Sequence, residues 1–287
     1  MAISKEIGHD KRGNPKHRRD CDGSPVLDAN GEMILDIDTY DIATDFHRYV
    51  NGLDFQESER SFIVNVQEIR KADRMDASFF SPIARNALAR IITSVRKGWQ
   101  LKSVEDLTTS VFYPKRFKRA YVDEEHGVPF LSGANITRFT KVGVKYLSRK
   151  TKNLKEYLVK QGWIFATRSG TSGILVYADS SFNDVAVSEH VIRIVPDNTK
   201  IDGGYLFAVL SSPNYEPLFK SAITGSMVDE ITPEFIKKLR IPVPDDRGVQ
   251  ENIGKKILEA EARRAESIRL FDEAGNELAA LLKPNSH

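Results

Sequence analysis

The segment from Arg247 to Leu282 places apolar or small residues at Ile253, Ile257, Ala260, Ile268, Phe271, Ala274, Leu278 and Leu281, close to a heptad, with charges between them. This period predicts one continuous helix, roughly 50 Å long at about 1.5 Å per residue. Such a rod is longer than its own domain needs, so it wants a partner. Arg264 and Ser267 fall at inward positions and Gly275 lies inside, so docking against another long helix is expected rather than an autonomous coiled coil.

Ahead of the rod the chain changes texture. The first 60 or so residues read as an arm crowded with Gly, Pro, Asn and Asp, whose short apolar runs "PVL" and "MIL" flank the hairpin signal "DANGE". Alone it could hardly bury a core. From Thr39, "YDIATDFHRYV" spaces Ile42, Phe46 and Tyr49 at helical intervals. A second helix is expected over Ser81–Lys97, capped by Ser81, with Pro82 first and Ile83, Ala87, Leu88, Ile91 and Val95 on one face; Gly98 stops it. Short strands follow in "VPFLSGANI", "VKYLS", "GWIFATRSG", "GILVYAD" and "VAVSEHVIRIVP", the last alternating with period two. "YLFAVLSS" and "YEPLFKSAI" read as short helices, and "ITPEFIKKLRIPVP" as a capped helix entering a Pro-punctuated strand. The expected fold class is α+β: an irregular β-rich domain with a few short helices, plus a long C-terminal helix of coiled-coil type.

No run of about 18 apolar residues exists to span a bilayer, and the N-terminus lacks the apolar core of a secretory signal. A soluble, cytoplasmic protein without membrane contact is expected. The single cysteine, Cys21, excludes an internal disulfide framework and a zinc site built on paired cysteines. The net charge of +2 conceals an asymmetry: residues 85–160 carry 17 Lys/Arg against 6 Asp/Glu, whereas residues 1–84 carry 11 against 16. A basic block of this kind is the footprint of phosphate neutralisation, with a merely solubilising surface as the competing explanation.

Catalytic motifs fail one by one. In "RSGTSG" a Walker loop would need Lys and Ser/Thr after the last glycine, where Ile174 stands, and neither Ser169 nor Ser172 has the two flanking glycines of a nucleophile elbow. What remains is a tight turn with an arginine and three hydroxyls, suited either to phosphate oxygens or to a plain hairpin. "SSPNY" is similar to the Asn-Pro-Pro-Tyr signature of adenine methyltransferases, but Asn214 replaces the second proline and no glycine-rich cofactor loop precedes it; an inter-helix turn is the simpler reading. Asp245, Glu251 and Lys255 lie at a helix start, where acids serve as caps. His190 reads as a strand residue. No catalytic constellation, cofactor or metal site is expected.

Basic residues interleaved with aromatics are better represented. "VFYPKRFKRAY" sets Lys115, Arg116, Lys118 and Arg119 among Phe112, Tyr113, Phe117 and Tyr121. "NITRFTKVGVKYLSRKTK" places Asn135, Arg138, Lys141, Lys145, Arg149, Lys150 and Lys152 near Phe139 and Tyr146. Such loops combine phosphate contacts with base-edge readout by Arg and Asn.

From about Arg74 to the end, the order of these segments resembles one half of the specificity subunit of type I restriction-modification systems. The residues that carry it are "RMDASFFSP", "WQLKSVEDL", "VPFLSGANI", "LVKQGWIFATRSGTSG", "VAVSEHVIRIVP", "GGYLFAVLSSPNY", "ITGSMVDEITPEFIKKLRIPVP" and "QENIGKKI". The stretch "IGHDKRGNPKHRRDCDGSPVLDANGEMILDIDTYDIATDFHRY" separately looks like the C-terminal tail of the partner methyltransferase subunit. The resemblance implies three parts: an arm over 1–73, a target-recognition domain over 74–244, and a helix over 245–287 for dimerisation and methyltransferase docking. It implies a non-catalytic subunit that reads one half of a bipartite site in double-stranded DNA and directs an adenine methyltransferase, and through that complex a restriction subunit. Two copies would pair as a homodimer with antiparallel helices, through Ile253, Ile257, Ala260, Ile268, Phe271, Leu278 and Leu281. It makes "GWIFATRSGTSG" a structural strand and turn that leaves Arg168, Ser169 and Ser172 available to phosphates. The competing expectation is an assembly or inhibitor module that occupies the methyltransferase without recognising a DNA sequence.

Overall fold

The computed structural model describes residues 1–10, 12–139, 143–169, 172–223 and 230–282. They fall into two compact units, Met1–Asn86 and Ala87–His287.

The first unit is built on backbone hydrogen bonds rather than on a core. Three turns, Asp10–Gly13, Asp20–Gly23 and Asp28–Gly31, repeat one design: Oδ1 of the aspartate accepts the N–H groups two and four residues on, and the glycine takes a positive φ. Between the turns two rings of backbone bonds close. Arg18 N–H donates to the Ile34 carbonyl, Ile34 to Val26, and Val26 to Arg18; Gly8 donates to Asp36, Asp36 to Lys16, and Lys16 to Gly8, all at 2.8–3.0 Å. The hairpin expected at "DANGE" is thus one of three. Asp38 closes the assembly by accepting from Ser4 Oγ and from the N–H groups of Lys5 and Glu6. Burial by itself would raise its carboxyl; those bonds win and hold it below the usual carboxylate range.

Helix α1 (Thr39–Val50) follows the expected period but buries none of its residues, and Tyr40 is 74% exposed. Helix α2 (Val66–Ala72) is capped by Asn65. Helix α3 (Pro82–Thr93) begins as expected, but its buried residues are Ala84, Ala87 and Ile91, while Ile83 and Leu88 face outward. The periodic positions had suggested a face centred one step away. The helix also stops short of Lys97, where Ser94 Oγ turns back to the Ile91 carbonyl.

In the second unit the chain runs through β1 (Trp99–Ser103), α4 (Val104–Leu107), β2 (Thr108–Phe112), β3 (Tyr121–Val122), β4 (Gly127–Leu131), α5 (Gly133–Thr137), β5 (Lys145–Ser148), β6 (Ile164–Thr167), β7 (Leu175–Tyr177), β8 (Ala186–Val187) and β9 (Val191–Pro196). It continues through α6 (Gly203–Leu210), α7 (Glu216–Ala222), α8 (Pro233–Lys238), β10 (Arg240–Pro244) and α9 (Arg247–Leu281). Strands β2-β9-β6-β7 form one antiparallel sheet, β3-β5-β4-β8 a second with β4 and β8 parallel, and β1-β10 a two-stranded ribbon. The stretch "VAVSEHVIRIVP" does not form the single strand its alternation suggests. Ser188 accepts from the N–H groups of His190 and Val191 and turns the chain, so β8 joins one sheet and β9 the other. His190 therefore lies in the turn.

The long helix is continuous, as its period predicts, and is fixed at its N-terminal end. Asp202 caps α6, donates its own N–H to Gln250 Oε1 at 3.1 Å, and Gln250 Nε2 donates to the Pro244 carbonyl at 3.0 Å. There α6 and α9 cross glycine on glycine. A Cβ on Gly204 would stand 2.8 Å from the Gly254 backbone, and one on Gly254 would stand 1.8 Å from Asp202 Oδ1. Tyr205 and Tyr215 tie α6 and the start of α7 to β10 by donating to the Pro242 and Arg240 carbonyls at 2.6 and 2.5 Å. Tyr215, the aromatic of "SSPNY", is thereby a buried strut between the start of α7 and β10.

We expect Gly254→Ala to destabilise the second unit by about 1–3 kcal/mol in urea unfolding, because the crossing has no space for a methyl group. Gly275→Ala, in the same helix with nothing within 4 Å of the added atom, should raise stability by about 1 kcal/mol through helix propensity alone.

Candidate nucleic-acid interface

The structure sorts eleven of the twelve basic and polar residues singled out in the sequence into distinct settings. Lys115, Arg116 and Lys118 project from the loop between β2 and β3, Lys145 sits on β5, and Arg149 follows β5. These five border one sheet, because Tyr121 pairs with Leu147 and the Ser148 N–H donates to the Ala120 carbonyl. Lys145 Nζ stands 4.9 Å from the Tyr121 ring centre, a cation–π contact that fixes the ammonium without neutralising it. Among the described residues, none of the five is drawn into an ion pair. Lys155, which the sequence reading passed over, lies two residues from Tyr157, whose hydroxyl donates to the Lys115 carbonyl at 3.0 Å. That Tyr157–Lys115 contact spans 42 residues, so no local pattern announces it.

Arg119 departs from its neighbours. Its Nη2 donates to both carboxylate oxygens of Glu189 at 2.8 Å, and its guanidinium lies 5.1 Å from the Phe130 ring centre. Burial by itself would raise the Glu189 carboxyl, yet the Arg119 bonds outweigh it and hold the group below the usual carboxylate range. Next to it Arg193 is fully buried on β9 and donates to the carbonyls of Val187, Ser188 and Val191. Burial pulls its guanidinium down to about 9, so it remains charged at neutral pH.

The other candidates are held elsewhere. Asn135 forms a reciprocal capping box with Ser132 at the start of α5. Arg138, which ends α5, lines a groove of about 260 Å3 with Asp179, Glu261 and Arg264. Arg168 donates to Glu230 at 2.5 Å and stacks 4.1 Å from the Tyr113 ring centre. Ser169 Oγ is 2.9 Å from His190 Nδ1, and Ser172 Oγ donates to the Arg168 carbonyl at 3.0 Å. Gly173 shapes this turn: its φ is +85°, and an added Cβ would meet Phe219 at 3.1 Å. Lys141 lies outside the described residues.

On α9 the apolar residues divide by position along the helix. Ile253, Ile257 and Ile268 are half-buried, while Ala260, Phe271, Leu278 and Leu281 are exposed, Leu281 by 83%. The Phe271 ring nevertheless meets Phe139 edge to face, with centres 5.9 Å apart. Among the described residues no group of three His, Cys, Asp or Glu is placed to hold a metal ion. No helix among them is long and apolar enough to cross a membrane.

Comparison with known proteins completes this picture. No curated protein matches the sequence. Three solved structures are similar at low identity. One is the HsdS subunit of Thermoanaerobacter tengcongensis (15% identity, 73% of this chain and 49% of that one, TM-score 0.42). Another comes from work on complex assembly and conformational transition of the type I R-M system (15%, 84% and 56%, 0.45), and the third is the type I restriction-modification S subunit of M. genitalium (17%, 65% and 42%, 0.36). The chain spans about half the length of these structures. The family model for the type I restriction modification DNA specificity domain matches residues 96–264. That match takes in both sheets, the cation-bordered loops and the first half of α9, and so the chain belongs to the family of type I restriction-modification DNA specificity domains.

Proposed function

We propose that the protein is a non-catalytic DNA-reading subunit that directs an adenine methyltransferase to one half of a bipartite site, and that two copies pair through α9. The observation that carries this reading is the set of five cations, Lys115, Arg116, Lys118, Lys145 and Arg149, bordering one sheet with no carboxylate partner among the described residues. Phosphate oxygens are the ligands that such a border lacks. The domain limits 1–73, 74–244 and 245–287 belong to the same proposal, with the arm serving as a methyltransferase tail. The exposed Phe271, Leu278 and Leu281 supply the apolar strip that a second α9, or a helix of the methyltransferase, would cover.

A second reading, an assembly module that engages the methyltransferase without recognising a DNA sequence, draws on the same strip and on the uncovered face of α1. Selection from random duplexes separates the two. An enriched motif at moderate salt supports the first, and sequence-independent affinity with retained methyltransferase co-purification selects the second.

Lys145→Ala should reduce the slope of log affinity against log salt by about 0.9 while leaving the preferred sequence unchanged. Light scattering of the intact chain should give twice 32.3 kDa, and Leu278→Glu combined with Leu281→Glu should return it to the single-chain mass. A single-chain mass for the unaltered protein removes the pairing proposal.

A further inference from the structure

The loop between β2 and β3 alternates in a way its composition hides. Lys115, Arg116 and Lys118 point outward, whereas Phe117 and Arg119 turn in. The Phe117 ring lies 3.8 Å from that of Tyr157 and 6.2 Å from that of Phe130, and the Tyr157 hydroxyl holds the Lys115 carbonyl at 3.0 Å. The loop's far end is secured by Arg119 on Glu189 at 2.8 Å. Glu189, whose side chain is 4% exposed, occupies the turn that carries the chain from β8 in one sheet to β9 in the other. That turn is itself wrapped by Arg193, which donates to three of its carbonyls. His190 and Ser188 complete the surroundings of the carboxylate, the imidazole Nε2 at 3.8 Å and the hydroxyl at 3.3 Å. A cation with two carboxylate oxygens at 2.8 Å and an aromatic ring below it is poorly placed to serve a phosphate.

We propose that Arg119 is a positioning residue rather than a phosphate contact: through Glu189 it holds the loop over residues 113–120 in the conformation that presents Lys115 and Lys118 to phosphates and Arg116 to base edges, and thereby sets sequence preference. The proposal rests on the DNA-reading function above. Phosphate contacts tolerate a mobile loop because a charge attracts from many geometries, whereas base readout demands a fixed one. Loss of the clamp therefore loosens specificity and spares general affinity.

The decisive variant is Glu189→Gln in the intact chain, because it alters the clamp without removing any cation; Arg119→Gln is its counterpart. Both should lower the ratio of affinity for the selected duplex over a random duplex by about fivefold or more. Both should leave the salt slope unchanged and raise amide exchange across residues 113–120 by about tenfold, with β6 and β9 still protected. Arg119→Lys, which can still reach Glu189, should recover part of the ratio. If Arg119→Gln instead lowers the salt slope by about 0.9, Arg119 is a phosphate contact and the proposal is overturned. An unchanged ratio in Glu189→Gln, or loss of protection in β6 and β9 in both variants, overturns it as well, the latter by showing a general structural role. Failure of the unaltered protein to enrich any sequence is a different result, since it removes the DNA-reading function itself.

Discussion

The crossing of α6 over α9 at Gly204 and Gly254 governs the second unit. Because neither residue has a side chain, the two helices approach until a single Cβ would strike backbone or the Asp202 carboxylate. That closeness lets Asp202 and Gln250 join α6, α9 and the end of β10 through two hydrogen bonds. The direction of the 35-residue helix is thus set within its first two turns. Farther along, half-buried Ile257, Glu261 and Ile268 continue along the domain. Burial raises the Glu261 carboxyl despite the nearby Arg264, as expected for an acid in the groove between α9 and the domain.

Charge follows the same geometric logic. In a basic run every residue looks alike, but a loop that crosses a sheet edge must turn some side chains in, and those need partners. Arg119 finds Glu189, Arg168 finds Glu230 and the Tyr113 ring, and Arg193 finds three carbonyls. The residues left outside keep their charge available to an external anion. Burying a guanidinium is costly unless it is bonded, so folding itself divides the arginines into buried struts and outward-facing cations.

The first unit reaches order by a different route. Aspartates shape the turns, glycines supply the positive φ, and two three-way rings of backbone bonds replace the missing core. This leaves the apolar side of α1 uncovered. Few apolar residues are buried in this unit, with Phe62 and Phe80 foremost among them, so its stability rests mainly on hydrogen bonds, each worth only about 1 kcal/mol net.

Local signals were enough for the elements that local physics forms. The heptad-like period of α9, the Thr232 cap of α8, the Pro82 start of α3 and the strand of "GWIFATRSG" all appear where sequence periodicity and capping chemistry put them. The order of those segments carried the family, and the basic block located the loops that border the cationic sheet. The structure alone decided that "VAVSEHVIRIVP" divides between two sheets, that three aspartate turns join in rings, and that Arg119 faces inward while Lys118 faces out. Each of these depends on partners that are not neighbours in sequence, Arg119 and Glu189 being 70 residues apart, and such pairings emerge only when loops close and burial compels charges to be bonded.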